Sequence, residues 1–224
     1  ELLGPFDYRE RRPEGRNVLV IDFGEGTTDV VWLHLAPSEG SGARVVSKVK
    51  RHFALNQGGL EVTRQIAQTL KTIAFEFNVA RGMDRVAAKR WLRTNLKEDG
   101  IEERFLDGQK KKVAQFRREK ATLYFERSEV IKKGLSSRDE VDIDWKSLLA
   151  ETQLATPDES VFTASRLVTI VGRIFKPIFS RVRLWTEEEG RLDVVLVSGR
   201  ASALRGLREE LEKSIPPQMA PLKN

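Results

Sequence analysis

The residues best suited to chemistry are Asp22-Phe-Gly-Glu-Gly-Thr-Thr-Asp29, a polar, glycine-rich bend between two apolar segments. Gly24 and Gly26 allow a tight turn whose amides can approach phosphate oxygens with no side chain in the way. Thr27 and Thr28 add hydroxyl donors. Asp22 and Asp29 bracket the turn and can hold a hydrated magnesium ion, which prefers carboxylates plus waters. Asp22 is also the one candidate for a catalytic carboxylate. The same residues suit an ordinary hairpin with a polar turn, and the bend alone leaves both readings open. Two further corners carry glycine. Val195-Leu-Val-Ser-Gly-Arg200 delivers Ser198, Gly199 and Arg200 from a buried-type strand to a helix start, where an anion is favoured. Gln57-Gly-Gly-Leu-Glu61 puts Gly58 and Gly59 just before a helix. Each of these, alone, is as readily a helix cap as a ligand contact.

Strands and helices must position these corners. Asn17 to Phe23 is β-branched and almost continuously apolar, which predicts a strand. Thr27 to Leu35 predicts a second, alternating at Val31, Leu33 and Leu35, and Ala43 to Phe53 a third, so the three form an antiparallel meander. Leu60, Ile66, Leu70, Ile73 and Phe77 recur at helical period and predict a helix from Leu60 to Phe77. Ala80 to Ser137 reads as helical and highly charged, interrupted at Asp99-Gly100 and Asp107-Gly108. Glu140 to Trp145 reads as a short strand and Lys146 to Leu154 as a short helix. Thr156-Pro-Asp-Glu159 is a helix-start signal, since Thr or Asp can cap and acids favour the first turn. The helix is expected from Ser160 to Trp185 with a kink at Pro177, which lacks the amide for its hydrogen bond. Asp193 to Ser198 predicts a buried strand and Ala203 to Ser214 a final helix.

Composition narrows the functional classes. In 224 residues, 40% are apolar and 32% charged, as in a folded globular chain. The longest greasy stretch, Val161 to Trp185, is broken by five basic residues, so no membrane partner is expected. Glu1 to Arg16 is polar and charged, unlike a secretory signal, and cytoplasm is the expected compartment. With no cysteine, thiolate catalysis and cysteine-ligated metals are excluded. A net charge of +6 can mean a nucleic-acid partner, but 33 acids are interspersed with 39 bases, which argues against one. The densest basic run, Lys110 to Lys112, reads as a solvated helix face. His34 and His52 have no partner at metal-ligand spacing.

Taken together, the motifs resemble the second half of the ATPase domain shared by 70-kDa heat-shock chaperones, actins and sugar kinases. Val20 to Val30 is similar to the family's second phosphate motif, and Leu55 to Val62 to the chaperone glycine pair beside the ribose. Ser128 to Ser136 is similar to the helix that lines the adenine, and Val194 to Arg200 to the adenosine motif. The resemblance spans about Asn17 to Ile215 and matches the chaperone type in order and spacing. It implies an α/β fold of ribonuclease-H-like actin type, an antiparallel three-strand meander plus parallel strands and helices, with an inserted helical subdomain. Residues 1–16 would be a linker, 17–79 and 138–215 the lobe core, 80–137 the insertion, and 216–224 a flexible tail.

The resemblance also implies ATP and Mg²⁺ as ligands. Gly24, Glu25, Gly26, Thr27 and Thr28 would surround the β- and γ-phosphates. Asp22 and Asp29 would face the metal, and Gly58 and Gly59 the ribose. Glu129, Lys132, Lys133 and Ser136 would line the adenosine, and Ser198, Gly199 and Arg200 would pack on the base. Glu25 stands where the family has a glycine, Arg200 where it has a small residue, and Ser198 where it has the first glycine of the adenosine pair. The family's first phosphate motif and the residue that positions attacking water would lie upstream of Glu1, in an N-terminal lobe of the same parent protein. The implied function is ATP binding by a chaperone-like or actin-like ATPase, with other proteins as further partners. The alternative is a non-hydrolysing scaffold or assembly module of the same fold. A sugar or other small-molecule kinase of the superfamily fits less well, because the Gly58-Gly59 and Glu129 to Ser136 features are chaperone-like.

Overall fold

A computed structural model describes residues 14–37, 45–92 and 108–215. The expected linker (apart from its last three residues), the expected loop around 38–42, Asp99-Gly100 and the expected tail lie outside the described residues. The chain is α/β and divides into two compact units: Glu1–Val62 with Val168–Asn224, and Thr63–Leu167.

The first unit is built on a four-stranded sheet. β1 (Arg16–Phe23) pairs antiparallel with β2 (Thr28–Pro37), and β2 antiparallel with β3 (Val45–Leu55). The strand near the C-terminus, Val194–Ser198, pairs parallel with β1 on its other side. The meander is thus as expected, with each strand starting or ending within about two residues of the sequence reading. Cross-strand register explains the core. Leu19 sits opposite Trp32, Ile21 opposite Val30 and Phe23 opposite Thr28, so all six share one face, and all are fully buried. On this face Phe175 of the long C-terminal helix meets Phe23 edge-to-face at 5.3 Å between ring centres. Burying such an aromatic is worth about 1.5–3 kcal/mol. β3 is anchored to the far end of that helix by Lys50 and Arg51, which pair with Glu189, while Arg181 lies over the Phe53 ring.

The second unit is mainly helical. α1 (Gly59–Ala80) enters it from the first unit, and α2 (Arg85–Leu92) and α3 (Gly108–Leu135) follow. Gly108 opens α3 rather than interrupting a helix. The fully buried stripe of α1 is Val62, Ile66, Leu70 and Ala74, at four-residue spacing; Ile73 and Phe77, expected on the same side, are only half-buried. A four-residue ridge drifts around the helix, so its two ends cannot keep every apolar residue on one face.

β4 is shorter than expected, Glu140–Asp142, because Asp144 caps a helix instead: its carboxylate accepts from the Ser147 amide, and α4 (Trp145–Leu148) starts there. The capping signal at Thr156–Glu159 does not start a helix. Val161–Thr163 forms β5 against β4, and α5 (Ala164–Glu189) begins four residues later than expected. The β-branched and aromatic character of Val161, Phe162 and Thr163 favours the strand, and Phe162 becomes fully buried there. Pro177 lies inside one continuous α5, which carries the chain back to the first unit. After β6 (Val194–Ser198) a short 3₁₀ turn, Arg200–Ala203, precedes α6 (Leu207–Ser214). The expected single helix is split because Gly206 takes a left-handed conformation at its start.

Candidate functional site

In the first unit the three glycine-bearing corners meet. The bend between β1 and β2 is buttressed from below by the start of α1: the Gly59 amide donates to the Gly24 carbonyl at 3.1 Å and the Leu60 amide to the Glu25 carbonyl at 2.8 Å. These are two of the four amides that a helix N-terminus leaves without intrahelical partners. The contact is close enough to require glycine. A Cβ on Gly58 would lie 2.4 Å from the Gly24 carbonyl oxygen and 2.6 Å from that of Glu25. Gly58 and Gly59 are both buried, so they support the bend from beneath rather than face solvent.

Thr28 belongs to the same support. It is fully buried, and its hydroxyl donates to the Gln57 carbonyl at 2.9 Å. Thr27 and Gly26 are exposed, and a Cβ on Gly26 would meet nothing within 4 Å among the described residues. The approach to the bend is therefore open over Gly26 and Thr27. Glu25 turns its carboxylate over α1: one of its oxygens lies 2.5 Å from where a Gly59 Cβ would be. An acid at a helix N-terminus is favoured by the dipole, which gives an acid at position 25 a structural reason.

The third corner closes on the other side of the bend. Gly199 has φ of +90°, and a Cβ there would sit 2.3 Å from the Phe23 carbonyl oxygen and 2.4 Å from an Asp22 carboxylate oxygen. Only a residue without a side chain fits this combination of backbone conformation and contact. Ser198 donates its hydroxyl to Asp22 at 3.2 Å, and Arg200 is exposed at the start of the 3₁₀ turn.

Register brings the candidate metal residues together. Asp22 and Asp29 are direct cross-strand partners, and Ser198 is the partner of Asp22 on β6. Directly opposed residues project from the same face with Cβ atoms about 4.5–5.5 Å apart. Two carboxylates so placed repel unless a cation joins them. His52, which the sequence reading set aside, lies 3.6 Å from Asp29 through its Nε2. The signal was in the β3 register, which puts His52 opposite Val31, two residues from Asp29. Among the described residues no group of three or more His, Asp or Glu is arranged to hold a metal. The pair fits Mg²⁺ only as that ion commonly binds, with one or two carboxylates and the rest waters and phosphate oxygens.

Of the residues expected around adenosine, Glu129, Lys132, Lys133 and Ser136 lie in the second unit, whereas Ser198, Gly199 and Arg200 lie in the first. Glu129 and Lys132 are brought together on α3: Lys132 Nζ is 2.7 Å from the Glu129 carboxylate, and Thr63 of α1 donates its hydroxyl to the same oxygen. Thr63 and the Lys132 side chain are buried. Burial pushes the Glu129 carboxyl up, but the Lys132 and Thr63 hydrogen bonds and the charges of Lys132 and Lys133 outweigh it, so its pKa falls below the usual Glu value. Lys133 and Ser136 are exposed, and the Ser136 hydroxyl donates to the Lys132 carbonyl.

No family model matches the chain, and no curated protein matches its sequence. The molecule is thus defined by its own architecture: an α/β protein whose sheet delivers three glycine corners and an opposed aspartate pair to one place.

Proposed function

We propose that the first unit is the phosphate- and magnesium-binding part of an actin-like, chaperone-type ATPase lobe, and that the chain is half of such a nucleotide-binding protein of the cytoplasm. The carrying observation is the convergence of the bend at Phe23–Thr28 with Gly58 beneath it and Gly199 beside it, around the facing Asp22 and Asp29. A bend held that rigidly presents amides and hydroxyls without the cost of ordering them when an anion binds. The sheet order β3-β2-β1-β6, a meander with a parallel strand on its far side, also suits the resemblance.

In this reading Gly24, Gly26 and Thr27 contact the phosphates of ATP, while Asp22 and Asp29 hold the waters of Mg²⁺. Thr28 supports the bend through Gln57. Hydrolysis needs positioned charge on every side of the γ-phosphate, and the proposal assigns the missing side to an N-terminal lobe of the same parent. Glu129 and Lys132 already satisfy each other and Thr63 within the second unit.

A non-hydrolysing scaffold of the same fold is the second reading. What favours it is Glu25, whose carboxylate lies over Gly59 and adds a negative charge to the bend proposed to hold phosphate.

The test is a titration of the 224-residue chain with ADP, with Mg²⁺, and with both, followed by amide NMR and calorimetry. The ATPase reading expects shifts at Gly24, Gly26, Thr27 and Gly199 that need Mg²⁺ and nucleotide together. No shift and no heat at millimolar Mg-ADP leaves the scaffold reading standing in its place.

A further inference from the structure

A second concave site lies wholly within the helical unit. Thr72, Ile73, Glu76 and Phe77 of α1 face Pro157, Asp158 and Glu159 of the segment before β5, around a pocket of about 340 Å³. Its formation is specified by hydrogen bonds at both ends of that segment. Buried Asn78 receives the Ala155 amide at 2.7 Å and donates to the Ala155 carbonyl at 3.0 Å. At the other end the Trp145 indole donates to the Glu159 carbonyl at 2.6 Å and the Ile143 amide to the Ser160 carbonyl at 2.7 Å. The wall is therefore built before any ligand arrives.

The floor is apolar, from Ile73, Phe77 and buried Pro157, and the rim is acidic. Of the three carboxylates, Glu159 is paired with Arg166. The Glu76 and Asp158 side chains are exposed and make no ion pair or hydrogen bond among the described residues. Arg81 lies over the Phe77 ring, 5.4 Å from its centre, so the ring's π-face already accepts a guanidinium. In a chain of net charge +6, this local excess of acid around an apolar floor stands out.

We propose that this pocket docks a segment of a partner protein by inserting an arginine beside an aliphatic residue, the guanidinium going to Glu76 and Asp158 and the aliphatic group to Ile73 and Phe77. The occupant is a peptide rather than a free cation because of size and openness. The volume is at the low end of the roughly 300–1,000 Å³ of ligand pockets, which leaves room for one or two side chains whose main chain continues outside. A small free cation would bury little surface there, whereas an anchored segment adds contacts beyond the rim. The site involves none of the residues assigned to nucleotide.

The probe is the peptide acetyl-Ala-Leu-Arg-Leu-Ala-amide, titrated into the full chain and followed by amide and methyl NMR. Its citrulline-for-arginine analogue and N-butylguanidinium are run in parallel. Expected are saturable shifts at Ile73, Phe77 and Asp158, with binding about fivefold weaker for the citrulline peptide and for the doubly substituted Glu76→Gln, Asp158→Asn chain, as two partly exposed charges imply. Butylguanidinium should bind at least tenfold more weakly than the peptide, roughly the loss of 1.4 kcal/mol of outside contacts. Both substituted side chains are exposed, and thermal unfolding of the variant checks that it folds. The proposal is overturned by absent shifts at millimolar peptide, by equal binding of the citrulline peptide or of the neutralised chain, or by butylguanidinium binding as tightly as the peptide.

Discussion

The two units each hold carboxylates at an expected site, and treat them in opposite ways. In the helical unit the half-buried Glu129 is paired with buried Lys132 and accepts a hydrogen bond from Thr63. In the sheet unit Asp22 and Asp29 face each other in more open surroundings, with a serine and a histidine as their neighbours rather than a lysine or arginine. A half-buried acid with its base in place is satisfied and serves the fold. The opposed acids of the sheet unit have no lysine or arginine beside them among the described residues, and their geometry is held by neighbouring glycines instead. The comparison separates residues that make a site possible from residues that would touch a ligand, and the difference is measurable.

The largest effect should come from the supports. Gly58→Ala drives a methyl group into two carbonyl oxygens, so urea unfolding should show a loss of about 2–4 kcal/mol. A change much below 1 kcal/mol would mean that the bend is not held from beneath.

Next, Lys132→Met leaves Glu129 half-buried without its base and should cost about 2 kcal/mol at neutral pH. The pH dependence follows from the lowered Glu129 pKa. A carboxyl that ionises more readily in the folded state than in the unfolded one stabilises the fold above its unfolded value, about 4.3. That contribution fades as pH falls through the depressed native value. The stability difference between the wild-type chain and Glu129→Gln should therefore narrow as pH drops below about 4. A difference that stays constant from pH 7 to strongly acid conditions would contradict the ion-pair account.

Asp22→Asn should act in the other direction on stability. Without a cation, removing one of two opposed charges should raise stability by up to about 0.5 kcal/mol, while abolishing the Mg²⁺-dependent part of the nucleotide response. A loss of stability on this substitution would place Asp22 with Glu129 as a structural acid and erase the contrast.

On nucleotide binding, the smaller effect should be that of Glu25→Gly. It removes a negative charge from the bend and should tighten Mg-ADP binding by about threefold, close to 0.7 kcal/mol, as read by calorimetry. Weakened binding would mean that Glu25 orders the bend more than it repels phosphate.

Much of the sheet unit was legible in the sequence because its signals are local. The runs Asn17–Phe23 and Asp193–Ser198 are apolar enough to be strands wherever they pack, and the glycines between them mark bends whatever the fold. The helical unit was less legible. Thr156-Pro-Asp-Glu159 carries a good helix-start signal, yet the pairing of Val161–Thr163 with Glu140–Asp142 takes precedence. That outcome depends on a partner strand some 20 residues away, which no local window contains.

What the sequence determined by itself was the class of element at most positions, the α/β alternation and the short list of residues proposed to bind phosphate or a divalent ion. Residue chemistry and periodicity suffice for that, because they act within a few residues along the chain. Tertiary structure alone decided which of those residues meet. It set Asp22 opposite Asp29, put Gly58 and Gly199 within contact of the bend, brought His52 beside Asp29, and joined Glu129 to Lys132 and Thr63. Register and close packing act between segments far apart in sequence, and they are fixed by the burial of whole faces rather than by any one motif.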